Sequence, residues 1–432
     1  MCYRPGESNR ARGWDEKGVQ KLLLNVSEAR QRLLDALSPT GTIRISISEA
    51  SGRVLGEDVR ARYASPPFSN SAMDGFAVQA SDVIAATKES PVTLEVAGDI
   101  PAGFVQEILL QAGQAIRIMT GAPLPDGANA IVPVEQTDFN YRDVDAQLPD
   151  TVKIYAAPES GQYVRLQGED FKQGEPLLHK GHRIRPQDVG MLAMMGLSEV
   201  TVYEKPRVAI LSTGDELLPV EADLEPGKIR DTNTYTISSL VESAGGQAVG
   251  LGIVPDQFDI VKQRLDEAAD SGVKLIVSSA GVSVGAFDYV RAVVEEYGEL
   301  NFWRVNMRPG KPLAFGTYRD TPFVGLPGNP VSAFMGFEVF LRPAIYKLAG
   351  QMGWERPVLR ATLKEMVESD GRESYLRAII NREDNRLFAR LTGHQGSGNL
   401  YSLVQANGLI IVPAGVTSVP AGTQVDVWPL EG

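Results

Sequence analysis

The 432-residue chain has one cysteine, Cys2, and three histidines, His179, His182 and His394. A single thiol excludes a disulfide framework and any thiolate-rich metal site. Three scattered imidazoles leave little material for a histidine-based zinc site. No apolar run reaches the roughly 18 residues that a membrane helix needs. The first twenty residues, MCYRPGESNRARGWDEKGVQ, lack the apolar core of a secretory leader, so a cytoplasmic location is expected. Positive charge is short too: 42 Lys+Arg against 54 Asp+Glu give a formal net charge of −12. Phosphate backbones select basic faces, so neither nucleic acid nor membrane is expected as a partner. An anionic small molecule then requires a locally basic pocket.

What is present is ordinary globular composition, 43% hydrophobic and 22% charged. The length calls for about three or four domains. Residues 1–21 read as a flexible extension. The spacing of Val26, Ala29, Leu33, Leu34 and Leu37 predicts a helix, stopped by Pro39, and the alternation in 42–48 predicts a strand. Between 61 and 170, short strand candidates separated by Pro/Gly turns suggest an inserted β domain. Residues 171–204, with a helical piece at 186–196, resume the mixed domain begun at 22–60. Over 205–350 strands and helices alternate, which predicts a doubly wound parallel sheet with helices on both faces. Its helix over 233–245 takes Asn233 or Thr232 as N-cap, and a long apolar helix covers 331–350. The tail, 351–432, returns to short strands and suggests a small β-barrel or sandwich.

In an open parallel sheet, ligands bind beyond the carboxyl ends of the strands. Three ends are rich in Gly and Ser: Ser212-Thr213-Gly214-Asp215-Glu216, the Gly281–Gly285 segment followed by Asp288, and Gly325–Ser332 opening a helix. Such loops offer backbone N–H groups to anions, although a tight strand-to-helix turn reads the same way. Residues 301–318 carry Arg304, Arg308 and Lys311 and no acid, in a segment stiffened by Pro309 and Pro312. The pattern is no Walker loop, and no dinucleotide fingerprint follows a first strand. Asp74, Asp170, Asp215, Glu216, Asp256 and Asp288 form a set of hard oxygen donors that suits Mg²⁺ beside a substrate phosphate, while each alone could be a helix cap. These residues together point to phosphoryl or nucleotidyl chemistry on an anionic, phosphorylated ligand.

Nine ordered motifs then add up. They lie at 66–78, 98–103, 117–135, 164–170, 211–217, 280–289, 307–316, 325–334 and 392–400. They read, among others, SAMDGFAV, MTGAPLPDGANAIVPVE, LSTGDEL, AGVSVGAFDY, MRPGKPLAFG, GLPGNPVSAF and TGHQGSGNL. The chain from about residue 22 onward resembles the molybdopterin molybdenumtransferase (MoeA) family, which is similar to the gephyrin E domain and to the plant Cnx1 E domain. The resemblance implies an inserted all-β domain, an N-terminal mixed domain, a MogA-like α/β domain and a C-terminal small β-barrel. It also implies a homodimer with its active site at the subunit interface. The implied reaction joins adenylylated molybdopterin and molybdate to give molybdenum cofactor and AMP with Mg²⁺. Transient contact with the adenylylating enzyme and with apo-molybdoenzymes is implied as well.

Carried over position by position, the resemblance assigns catalysis to Asp74, Thr120, Asp170, Glu216, Asp256 and Asp288. Glu216, Asp256 and Asp288 would hold the metal. Substrate binding falls to Ser283, Arg304, Arg308, Lys311, Pro327, Asn329, Pro330, Arg377 and Ser397. Asp74 and Thr120 would reach the partner subunit's cleft. The chain departs from the family pattern at several positions. Ser69 replaces a common aspartate, Phe76 a tyrosine, Ala280 a glycine and Ala286 an acidic residue, and Arg304 and Arg308 replace lysines. Two other functions fit parts of this reading. One is a binding or scaffold module of the gephyrin E-domain type; the other is a different nucleotide-binding enzyme, such as a dehydrogenase.

Overall fold

The computed structural model describes residues 23–103, 108–139, 147–280, 289–353 and 355–430. The extension 1–21 and the loop carrying Ser283, Ala286 and Asp288 therefore lie outside the described residues. The chain forms two compact units. One comprises the described parts of Met1–Glu57, Gly181–Val189 and Glu199–Gly432; the other comprises Asp58–Lys180 with Gly190–Ser198. Among the described residues no helix is long and apolar enough to cross a membrane.

The larger unit is built on a six-stranded sheet. Its order is Gln247–Val254, Arg207–Thr213, Leu275–Ser279, Thr321–Leu326, Pro312–Tyr318 and Gly298–Arg304. The first four strands are mutually parallel, as the alternation of strands and helices predicts. Arg207–Thr213 and Leu275–Ser279 are buried almost throughout, which is why they read as continuous apolar runs. Pro312–Tyr318 instead runs antiparallel to both neighbours. Only Arg319 and Asp320 separate it from Thr321, and so short a link permits a hairpin but no crossover. Arg319 takes a positive φ of 50° to close that turn.

Each face of the sheet has its own core. Val208, Ile210, Leu275, Val277 and Val324 pack with Ile237 and Val241 of the helix Asn233–Ser243, and with Val26, Ala29 and Leu33 of the helix Val26–Asp35. Ala209, Leu211, Ile276 and Phe323 pack on Val261 and Leu265 of Phe258–Asp270, and on Val290 and Val294 of Tyr289–Tyr297. The long apolar helix runs from Pro330 to Leu348, but its centre, Phe337–Leu341, widens into a π turn. Thr42–Ser46 pairs antiparallel with Glu199–Tyr203.

The tail closes into a five-stranded barrel. Glu373–Glu383, Arg386–Leu391, Leu359–Leu363, Gln424–Pro429 and Gly408–Val412 pair in that order, and the last returns to the first. The two-residue strand Met307–Arg308 adds to it beside Glu373 and Ser374.

In the smaller unit a five-stranded sheet runs Ala130–Pro133, Gly75–Val78, Gln114–Ile118, Val92–Ile100 and Thr151–Ile154. Its faces are covered by Phe76, Val78 and Val132 on one side, and by Ala77, Ile116 and Ile131 on the other.

Candidate functional site

The carboxyl ends of the parallel strands open onto a cleft of about 400 Å³. Thr213 ends the strand Arg207–Thr213, Ser279 ends Leu275–Ser279, and Pro327–Pro330 follow Thr321–Leu326; Glu216, Asp231, Asn233 and Pro312 complete the lining. This is the crevice that a doubly wound sheet offers to ligands. Of the residues expected from sequence, it gathers Glu216, Pro327, Asn329 and Pro330, and it reaches Pro312, next to Lys311.

Local chemistry explains the rim. Gly214 has φ +149°, and a Cβ there would stand 2.6 Å from the Glu216 carboxylate, so only glycine lets that carboxylate fold back over the turn. The carbonyl of Glu216 accepts from Ile229 N at 2.8 Å. Asp256 N donates to Asp215 Oδ1 at 3.3 Å. Burial pushes the Asp256 carboxyl above its ordinary value, and the charges of Asp215 and Glu216 push it the same way. Asp215, Glu216 and Asp256 thus form one acidic group. Among the described residues, however, no three His, Cys, Asp or Glu side chains stand close enough to cage a metal.

A raised carboxyl pKa means that the fold binds the proton more tightly than the unfolded chain does. That cost is absent below the usual carboxylate range and grows as pH rises through the folded value. Asp256→Asn is therefore expected to melt above the parent at pH 7 and together with it near pH 3. A thermal melt series settles this; an unchanged difference across that range would show that charge is not the cause.

Ala280 lines the cleft and takes φ +78°. Its methyl stands where glycine would carry none, at a cost of about 1–2 kcal/mol. Thr213 Oγ1 is enclosed and has no hydrogen-bond partner among the described residues.

The basic residues converge beside this cleft. Arg304 ends its strand opposite Pro312, and Val305 N donates to the Lys311 carbonyl at 3.0 Å, which closes the loop carrying all three cations. Gly310, at φ +105°, makes the turn between Arg308 and Lys311. Pairing of Arg308 with Ser374 brings it to the strand that carries Arg377. Arg377 is 0% exposed. Its Nη2 donates to the carbonyls of His394 and Gly396 at 3.2 and 3.1 Å, while Nε has no partner among the described residues. Burial lowers its pKa to about 10, and the neighbouring Arg308 charge acts in the same direction. The Ser397 carbonyl accepts from Val331 N at 3.1 Å, which joins the 393–397 turn to the start of the long helix.

The remaining expected residues belong to the smaller unit. Asp74 Oδ1 accepts from Thr120 N and Thr120 Oγ1, both at 2.7 Å, so these two do stand together. Asp170 is engaged structurally: it accepts from Arg165 at 2.9 Å and from Ser65 Oγ at 3.0 Å. Ser283 and Asp288 lie outside the described residues.

Sequence reasoning missed the polar layer beneath the cleft. Thr232 occupies the N-cap position without a side-chain bond, while Asp231 Oδ1 accepts from Thr234 N at 3.1 Å. Asn233, one of the two expected caps, is the first residue of the helix and turns its amide elsewhere. Its Nδ2 donates to Ser279 Oγ and to the Gly328 carbonyl, both at 2.7 Å. An Asp-Thr-Asn run directly before a helix was the available signal.

Comparison with known proteins agrees with this architecture. Residues 24–196 match the family described as MoeA N-terminal region (domain I and II). Residues 209–347 match a probable molybdopterin binding domain, and 360–430 match the MoeA C-terminal region (domain IV). A molybdopterin molybdenumtransferase of Haemophilus influenzae is 36% identical over 415 residues, covering 94% of this chain and 98% of that protein. Molybdopterin molybdenumtransferase 2 of Mycobacterium tuberculosis is 38% identical over 419 residues, covering 94% and 99%. The crystal structure of the molybdopterin biosynthesis moeA protein from Pyrococcus horikoshii OT3 superposes with a TM-score of 0.81 at 30% identity, covering 94% of this chain and all of that one. With a cleft at the strand ends, a basic loop beside it and this likeness along nearly its whole length, the chain belongs to the molybdopterin molybdenumtransferase family of molybdenum cofactor biosynthesis.

Proposed function

We propose that the protein inserts molybdenum from molybdate into adenylylated molybdopterin and releases AMP. The observation that carries this reading is Arg377. Its buried guanidinium lies within the field of the Arg308 charge, donates to no carboxylate among the described residues, and keeps one N–H, Nε, without a partner among them. Such an arrangement is costly unless an oxyanion sits there. Molybdate is an oxyanion, and the adjoining cleft is large enough to take part of a nucleotide-bearing pterin. In this reading a molybdate oxygen or water attacks the adenylyl phosphorus, while the two dithiolene sulfurs lose their protons and bond to molybdenum and one Mo–O bond breaks, its oxygen leaving within AMP in the first case and as water in the second. The bond to the molybdopterin phosphate oxygen breaks, and that oxygen keeps the electron pair. Arg304, Arg308 and Lys311 stabilise the charge that develops.

The acidic group fits a hard divalent cation in its donor chemistry, since Asp256, Glu216 and Asp215 repel one another in the absence of positive charge. Glu216 and Asp256 would hold Mg²⁺, with Asp288 as the third ligand. When bound it would act as a Lewis acid on the phosphates. Assembly as a cytoplasmic homodimer belongs to the same proposal, with Asp74 and Thr120 of one protomer serving the partner's cleft.

The test is AMP release from adenylylated molybdopterin, followed with and without molybdate and Mg²⁺. Release is expected to require both, and Glu216→Ala or Asp256→Ala should lower it by about a hundredfold. Full turnover in either variant removes that residue from the reaction. Tight binding of the pterin without any turnover would make the protein a binding module of the scaffold kind.

A further inference from the structure

We infer that Asn233 Oδ1 is a preorganised hydrogen-bond acceptor at the floor of the cleft, and that it reads an exocyclic amino group of the substrate's heterocycle. This deepens the proposed function and rests on its reading of the cleft as the substrate site.

The argument begins with the orientation of the amide. At ordinary precision the oxygen and nitrogen of an asparagine are told apart only by their partners. Here one partner is the Gly328 carbonyl, 2.7 Å away, and a carbonyl can only accept. The NH₂ group must therefore face Gly328. Its second contact, Ser279 Oγ, is also at 2.7 Å and accepts the other proton. Both donors are taken, and the amide cannot flip without setting oxygen against oxygen.

Oδ1 is what remains. It has no protein partner among the described residues, and Asn233 lines the cleft. The residue as a whole is only 8% exposed, and the two bonds hold its amide plane fixed. An acceptor of this kind has no use for an anion and is matched by an N–H donor. The adjoining basic loop takes the anionic end of a substrate; the cleft floor takes a neutral, nitrogen-rich end. Leu217, Ile229, Pro312, Pro327 and Pro330 line the same cleft with apolar surface that suits a flat ring. Two sources carry the required N–H groups, the pterin and the adenine of the adenylyl group.

Ligand-side changes test this without touching the protein's own network. Equilibrium binding to the full chain is measured for two pairs: AMP against IMP, which lacks the exocyclic amine, and pterin against lumazine, which lacks the 2-amino group. The parent is expected to prefer the amine-bearing member of one pair by about five- to tenfold, the worth of one hydrogen bond. Preference in the purine pair places the adenine on Asn233, and preference in the pterin pair places the pterin there. Asn233→Ala is expected to lose the preference, and Asn233→Gln to show it reduced. Equal binding within both pairs, binding of neither, or a preference that survives in Asn233→Ala would each overturn the inference. Failure of the transferase reading shows elsewhere, as missing molybdate-dependent AMP release from a parent that still discriminates within a pair.

Discussion

Arg377→Met is expected to give a folded protein that no longer responds to molybdate. The parent should melt higher as molybdate is added, by the equivalent of about 2.7 kcal/mol at a hundred times the dissociation constant, because an anion that binds only the folded state stabilises it. The variant should show no such rise, and its kcat/KM should fall by about 10- to 100-fold, the worth of a charge-assisted hydrogen bond. In the absence of anion the variant should lose little stability. It forfeits two donations, to His394 O and Gly396 O, each worth about 1 kcal/mol. Against that, it no longer buries a cation beside the Arg308 charge. A variant whose melting temperature rises with molybdate as the parent's does would place the oxyanion somewhere other than between Arg308 and Arg377.

Which parts of this site could be read from the sequence follows from how local each one is. The strand ends announce themselves, because Gly214 is demanded by backbone geometry and the Gly, Pro and Asn of 325–330 mark a turn within a few residues. The basic loop is equally local, since Arg304, Arg308 and Lys311 lie within eight positions and no acid interrupts them. Arg377 could be placed only by resemblance, because its meeting with Arg308 depends on a two-residue strand joining the barrel edge across more than sixty positions. Asn233 shows the opposite failure. A polar residue before a helix is ordinarily a cap, and tertiary partners at Ser279 and Gly328 outweigh that local preference. The antiparallel hairpin at Arg319 and Asp320 was hidden for a related reason: two apolar strands in succession say nothing of direction until the length of their link is considered. Asp170 carries the family motif, yet its carboxylate serves Arg165 and Ser65, which no spacing rule reveals.

The second large effect is expected away from the cleft, at Glu338. This carboxylate sits in the π turn of the long helix and is 3% exposed. Arg342 grips it with two bonds, Nε at 2.8 Å and Nη2 at 2.7 Å, and Arg356 Nη2 donates to it from the segment leading into the barrel. Arg356 also donates to the Pro429 carbonyl at 2.5 Å, so the triad fastens the helix to the barrel's last strand. Burial opposes the Arg342 charge, but the Glu338 carboxylate more than offsets it and holds that pKa above its ordinary value. Removing the shared anion strands two buried cations. Glu338→Gln should therefore cost about 3–5 kcal/mol in urea unfolding, with an unchanged denaturant slope. Replacing all three members at once, by Glu338→Leu, Arg342→Met and Arg356→Met, should be close to neutral, since no charge is then left unpaired. That contrast separates a charge effect from a packing effect. If the triple variant is as unstable as Glu338→Gln, the triad matters for its shape and not for its charge.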